Sequence, residues 1–130
     1  MSEPLAVVVD GERVLSYDRT HGLRPHQLAS LQAMDRRLDE GFVLAGRRIE
    51  SPDPVARGQF VALTLLRALE RGDDARAAAC TAWLATRFPE LQQLRIARNP
   101  ERGPTVEFVF DRPYVSETTV RFTPRPDGTS

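Results

Sequence analysis

The side chains with the widest chemical range are gathered in one short loop, residues 18–26. This loop holds an aspartate, two arginines and two histidines, directly before a predicted helix. Two imidazoles and a carboxylate are suitable ligands for a divalent metal ion. However, His21 and His26 are separated by glycine and proline in a spacing that matches no recognised metal signature. We therefore predict no metal site.

The same loop is better suited to hold an anion. The planar fork of arginine binds phosphate and carboxylate groups through paired hydrogen bonds. The unpaired backbone N–H groups at the start of a helix favour the same ligands. We name as candidate ligand-binding residues Arg19, His21, Arg24 and His26. The alternative is an ordinary solvated loop, in which polar residues collect because they face water.

The other candidate catalytic groups have simpler structural explanations. Cys80 lies inside an alanine-rich predicted helix, where a cysteine behaves as a small buried hydrophobe. Asp35 and Asp39 share a helix face, which suits an acid–base pair but is also typical of a solvated surface. No Gly-x-Ser-x-Gly elbow and no glycine-rich phosphate loop occurs in the chain. We therefore predict no catalytic residue and no cofactor.

The composition excludes several classes of protein. The 130 residues include 18 basic and 18 acidic side chains, and every basic residue is arginine. A net charge of zero, evenly spread along the chain, argues against a general nucleic-acid or acidic-membrane binder. With 41% hydrophobic residues the chain is not expected to be disordered. The lone cysteine excludes an internal disulfide, and the absence of lysine excludes Schiff-base chemistry.

Three amphipathic helices are predicted. The first covers residues 25–40, where apolar residues recur at steps of three and four. The second begins with Ser51 as its N-cap and Pro52 in its first position, and it ends at Gly72. Asp73 caps a third helix over residues 74–88, and the short turn makes the second and third helices an antiparallel hairpin.

Two hairpins are predicted in the first half of the chain. Residues 5–9 and 13–17 are apolar or β-branched runs on either side of Asp10-Gly11, a turn pair that tolerates positive φ. Residues 42–49 form a second, smaller hairpin around Ala45-Gly46.

Alternating apolar and polar residues predict three further strands near the C-terminus, around residues 94–96, 106–110 and 120–122. The order of elements predicts a single α+β domain over residues 1–123, followed by a frayed tail at residues 124–130. In this domain an antiparallel sheet, made of the N-terminal hairpin and the C-terminal three-stranded meander, carries three helices on one face.

The apolar run at residues 5–9 is shorter than that of a secretory signal, and no stretch approaches the roughly 20 apolar residues that span a bilayer. We therefore expect a cytoplasmic protein without a membrane partner. Our main hypothesis is a small non-enzymatic binding or accessory protein that acts through protein–protein contacts and self-associates as a homodimer. Amphipathic helices and an open sheet edge supply surfaces for such contacts.

Two alternatives remain open. The first is a small enzyme acting on an anionic substrate, with a loop histidine as acid–base and Arg19 or Arg24 as the anion clamp. The second is nucleic-acid binding through Phe108 and Phe110, which would stack bases from one strand face, with Arg95 and Arg121 on neighbouring strands. The zero net charge disfavours this second alternative.

Overall fold

The chain begins with the predicted hairpin. In the computed structural model, which describes residues 4–115, strands β1 (Leu5–Val9) and β2 (Glu12–Tyr17) pair antiparallel. Asp10 and Gly11 have φ angles of 52° and 86°, the left-handed pair that a two-residue turn of type I′ requires. The register shifts once along the pair, which marks a β-bulge in β2.

Three helices follow, as predicted. A short 3-10 turn, Arg19–His21, leads into α1 (Pro25–Asp39), and then come α2 (Pro54–Arg71) and α3 (Asp74–Arg87). Gly72 ends α2 in a left-handed conformation, with a φ of 71°. The side chain of Asp73 accepts a hydrogen bond from the backbone of Arg76, so it caps α3 as predicted.

The predicted start of α2 was wrong by two residues. Asp53, not Ser51, is the N-cap, and its carboxylate accepts a hydrogen bond of 2.8 Å from the backbone N–H of Ala56. A residue that precedes proline is disfavoured in the helical conformation, and Asp53 is extended because Pro54 follows it. Pro54 then occupies the first helical position, where its missing N–H costs nothing.

Strands β3 (Phe42–Leu44) and β4 (Arg47–Ile49) form the predicted small hairpin. They make a two-stranded sheet separate from the main one. Ala45 and Gly46 turn the chain with φ angles of 53° and 76°.

The main sheet is mixed, so the prediction of a purely antiparallel sheet was wrong. Strands β5 (Gln93–Ala97) and β6 (Thr105–Val109) complete it in the order β2-β1-β5-β6, and β5 runs parallel to β1. The helices between β2 and β5 carry the chain back across one face of the main sheet. Strand β5 therefore enters the sheet in the same direction as β1. The third predicted strand of the meander, around residues 120–122, lies outside the described residues, as does the tail.

The core lies between one face of the main sheet and the helices. The helix-facing side chains of the two central strands are Leu5, Val7, Val9, Leu94 and Ile96. Helix α2 packs against β5 and β6, and α3 packs against β2, α2 and α1. Among residues 4–115, no helix is long and apolar enough to cross a membrane.

The face of the main sheet that points away from the helices is covered in part by residues 110–115, which follow β6. Gln93 of β5 donates a hydrogen bond of 3.1 Å to the carbonyl of Arg112. Further along, the ring of Tyr114 lies 5.6 Å from the guanidinium of Arg13 on β2. The segment therefore crosses over β1, where Val8 is 1% exposed. A strand buried on both faces explains the unbroken apolar sequence of β1.

Candidate functional site

Arg19, the first candidate ligand-binding residue, is bonded to the protein itself. Its guanidinium donates hydrogen bonds to three backbone carbonyls, those of Ala85 at 3.2 Å, Phe88 at 3.0 Å and Leu91 at 2.7 Å. These carbonyls lie at the end of α3 and just beyond it, where the helix itself supplies no donors. Burial lowers the pKa of the Arg19 guanidinium, and Tyr17 partly offsets this effect. Arg19 thus ties the loop to the C-terminal end of α3.

The other loop candidates lie at the start of α1. Arg24 is the exposed N-cap position, and its backbone N–H donates a hydrogen bond of 2.8 Å to the side chain of Gln27. His26 is exposed in the first turn of α1, and His21 ends the 3-10 turn. The residues that line the two cavities described below do not include Arg19, Arg24 or His26. Ligand binding by the four loop residues stays a prediction.

Asp35 and Asp39 do not form an acid–base pair, because each contacts a different arginine. Asp39 forms a salt bridge of 2.7 Å with Arg57 of α2. Asp35 accepts a hydrogen bond of 2.8 Å from the indole of Trp83 and forms a salt bridge with Arg87, both on α3. Burial raises the pKa of Asp35, but the hydrogen bonds from Arg87 and Trp83 outweigh it and hold the pKa below its ordinary value. The two carboxylates therefore fasten α1 to its neighbours.

Replacing Asp35 with asparagine is expected to lower the free energy of unfolding at pH 7 by about 1 kcal/mol, since the salt bridge is partly exposed. A carboxylate with a depressed folded-state pKa stabilises the fold above the unfolded pKa of about 3.9, and this contribution disappears as the pH falls through the folded pKa. The difference between wild type and Asp35→Asn should therefore shrink on acidification, which urea denaturation at several pH values measures.

The matched control for this prediction is Asp111→Asn, which removes an exposed carboxylate bonded only to its neighbour Arg112 among the described residues. This variant should show no comparable pH-dependent difference. If the stability deficit of Asp35→Asn stayed constant from pH 7 down to about pH 2, the stabilisation would not come from the ionised carboxylate of Asp35, and the prediction would be wrong.

Cys80 is buried, as predicted. It is 1% exposed, and burial raises the pKa of its thiol to about 11, with Arg76 lowering it slightly and Asp73 raising it. We expect the native protein to resist labelling by a maleimide at pH 7.5 and to react fully once unfolded in urea. An exposed cysteine introduced on the same helix, Ala78→Cys, should react at once in the native state. Fast native labelling of Cys80 in the wild type would show that the thiol is accessible and activated.

Of the aromatic side chains proposed to stack bases, Phe108 does not share a surface with Arg95. Phe108 faces the helices, where its ring lies 5.7 Å from that of Phe88. Phe110 follows the end of β6 and is 46% exposed. Arg95 pairs with Glu107 across the strands and so projects from the opposite face to Phe108. Arg121 lies outside the described residues.

A groove of about 830 Å³ lies between α1 and α2. Helix α3 packs against both of these helices and supplies small residues at its floor, including Ala79. One end is formed by Phe42, whose ring stacks on that of Phe60 with centroids 4.4 Å apart. A second cavity of about 630 Å³ lies between the small hairpin, α2 and β6. We refer to the first cavity as the helical groove.

The helical groove combines an apolar lining with a cationic rim. The apolar lining includes Met34, Leu38, Phe42, Phe60, Val61 and Ala79. The described residues that line it also include four arginines and one aspartate, which leaves three positive charges in excess among them. The aspartate is the N-cap of α3 and lies 3.7 Å from Arg76. Within residues 4–115, Arg37, Arg67 and Arg71 form no salt bridge.

The signal for this groove was present in α2 but was overlooked. Phe60, Thr64, Arg67 and Arg71 recur at steps of three and four, so they form one stripe that changes from apolar to cationic along the helix. The stripe identifies a helix face, but only the tertiary structure shows that α1 contributes the opposite wall.

Comparison with known proteins found no match: no family model, no curated protein and no solved structure resembles this chain significantly. Within the described residues, no group of three or more histidine, cysteine, aspartate or glutamate side chains is arranged to hold a metal ion.

Proposed function

We propose that this chain is a non-enzymatic binding protein that acts through protein–protein contacts and docks its partner in the helical groove. The observation that carries the proposal is the combination of half-buried apolar side chains, such as Met34 and Phe60, with arginines that have no partner among the described residues. An apolar surface surrounded by polar residues is typical of an interaction site.

The titratable groups of the groove favour binding over catalysis. Asp73 is engaged as a helix cap and lies beside Arg76. The thiol of Cys80 stays protonated because of its burial. Arginine cannot act as a base near neutral pH. The described residues of the groove lining therefore supply charge and apolar area but no acid–base pair.

Self-association belongs to the same proposal. In the part of the chain that the structure describes, β2 and β6 each have one neighbouring strand and leave one edge of the main sheet open. An open edge is a common route to dimers, since a second copy can continue the sheet. Sedimentation equilibrium of the purified chain tests this part, with a dimer as the expected result and a monomer at all concentrations as the contrary one.

A photo-reactive amino acid placed at Met34 tests the groove directly. We expect it to cross-link a partner protein in cells. The same probe at Glu107, an exposed residue on the face of the main sheet that points away from the helices, should not cross-link this partner. The captured protein is then purified, and its binding is measured with Ala79→Trp, which fills the groove, and with Ala78→Trp, which adds the same ring on the solvent side of α3.

The proposal requires that Ala79→Trp weakens binding of the purified partner while Ala78→Trp leaves it unchanged. Equal binding by the two variants, or capture at Glu107 alone, would overturn the groove as the docking site. Turnover of a defined substrate by the isolated chain would overturn the non-enzymatic assignment.

A further inference from the structure

We infer that the helical groove receives an acidic amphipathic helix, one with an apolar stripe flanked by carboxylates. This inference rests on the proposed function, because it specifies the chemistry of the partner that docks there. It is carried by the length of the groove, by the position of the arginines on its walls and by the shape of its floor.

The groove has the length of a short helix. Its lining on α2 extends from Phe60 to Arg71, a distance of about 16 Å at 1.5 Å per residue, which corresponds to about three helical turns. The walls are two helices, and small α3 residues such as Ala79 keep the floor low. An amphipathic helix that lays its apolar face into a hydrophobic groove is a common mode of peptide recognition.

The arginines lie on both walls. Arg37 belongs to α1, whereas Arg67 and Arg71 belong to α2, and all three are exposed. Carboxylates on the two flanks of one apolar stripe would meet cations on both sides. By contrast, a single-headed amphiphile such as a fatty acid has its charge at one end and would leave arginines on one wall without a partner. The arrangement therefore favours the helix.

Nearby carboxylates do not compensate these three arginines. Asp39 is bonded to Arg57, and the salt bridge that Glu70 forms within residues 4–115 is with Arg98, at 3.9 Å. The described lining of the helical groove thus keeps an excess of positive charge, which a basic or neutral partner helix would leave unneutralised. A partner helix with matching negative charge gains both encounter rate and specificity from it.

The test uses the full chain and a fluorescently labelled synthetic peptide of about 14 residues, with leucines at steps of three and four and glutamates on either side of them. A second peptide carries lysine in place of every glutamate, and myristate is the third probe. Binding is followed by fluorescence anisotropy, and circular dichroism checks that each variant is folded.

We expect the acidic peptide to bind and the lysine peptide not to bind. The double variant Arg67→Glu/Arg71→Glu should weaken binding about tenfold or more, and added salt should weaken the wild-type interaction. The control Arg36→Glu/Arg102→Glu makes the same charge change at exposed positions outside the groove and should change the affinity less than about twofold.

Four outcomes would overturn the inference: no binding of the acidic peptide, equal binding of both peptides, equal effects of the two double variants, or displacement of the acidic peptide by myristate at a lower concentration than the unlabelled peptide requires. If the Met34 probe still captures a groove-dependent partner, the inference alone fails and the proposed function stands. If neither the peptide nor a partner binds the groove, both fail.

Discussion

The variant Arg19→Ala is expected to lower the free energy of unfolding by about 2–4 kcal/mol. A hydrogen bond from a charged donor contributes about 1.5–3 kcal/mol, and the carbonyl groups that accept from Arg19 would each lose one hydrogen bond. The arginine reaches three of them, on Ala85, Phe88 and Leu91, from a position 66 or more residues earlier in the chain. Urea denaturation at neutral pH measures the loss.

Arg24→Ala is the matched control, because Arg24 belongs to the same loop but its side chain is exposed. It should change stability by less than about 0.5 kcal/mol. Arg19→Lys should remain close to the alanine variant, since one ammonium cannot reproduce the spread of the guanidinium fork. If Arg19→Ala instead kept full stability and abolished the binding of inorganic phosphate, the loop would be a ligand site, as the sequence-based prediction holds.

The second large effect is expected for Gly41→Ala. Gly41 has a φ of 90°, and a β-carbon built there would lie 2.6 Å from the carbonyl oxygen of Ile49. A left-handed conformation alone costs a residue other than glycine about 1–2 kcal/mol. The clash with backbone adds to this cost, because the β4 strand cannot move aside as a flexible side chain would. We expect a total loss of about 3 kcal/mol or more, measured by thermal or urea denaturation.

Gly72→Ala separates the two contributions. Gly72 has a similar φ of 71°, but a β-carbon there would meet nothing within 4 Å. Its replacement should therefore cost only the conformational penalty of about 1–2 kcal/mol. Equal losses of stability at the two positions would show that the close approach to the carbonyl of Ile49 adds nothing to the free-energy cost of Gly41→Ala. Because Gly41 lines the helical groove beside Phe42, the alanine variant should also weaken binding of the acidic peptide.

Local features were predictable wherever a few adjacent residues determine the backbone. The turn at Asp10-Gly11 and the cap at Asp73 follow from residue types that tolerate positive φ or accept hydrogen bonds from helix N–H groups. In the turn at Ala45-Gly46 only the glycine is of such a type, and Ala45 adopts a φ of 53° in spite of its β-carbon. The misplaced start of α2 shows where this reasoning fails. Ser51 and Asp53 are both good caps, and the choice between them depended on the restriction that Pro54 places on its predecessor.

The candidate site was less predictable than the fold. Arg19 was selected for its chemistry, yet its partners lie at the far end of α3 and no sequence spacing relates them. Residues on α2 that line the groove form a visible stripe, whereas the wall that carries Arg37 comes from another helix. A site assembled from separate elements depends on packing, which the periodicity of any single element does not contain.

By itself, the sequence determined the α+β class, the order of helices and strands within residues 4–115, most of the tight turns and the burial of Cys80, because each depends on local propensity or on one apolar face. Only the tertiary structure decided that β5 joins β1 in parallel, that Arg19 holds the end of α3, and that α1 and α2 enclose a groove with an arginine rim. These features join residues far apart in the chain, and their geometry follows from how the helices cross the sheet rather than from any local pattern.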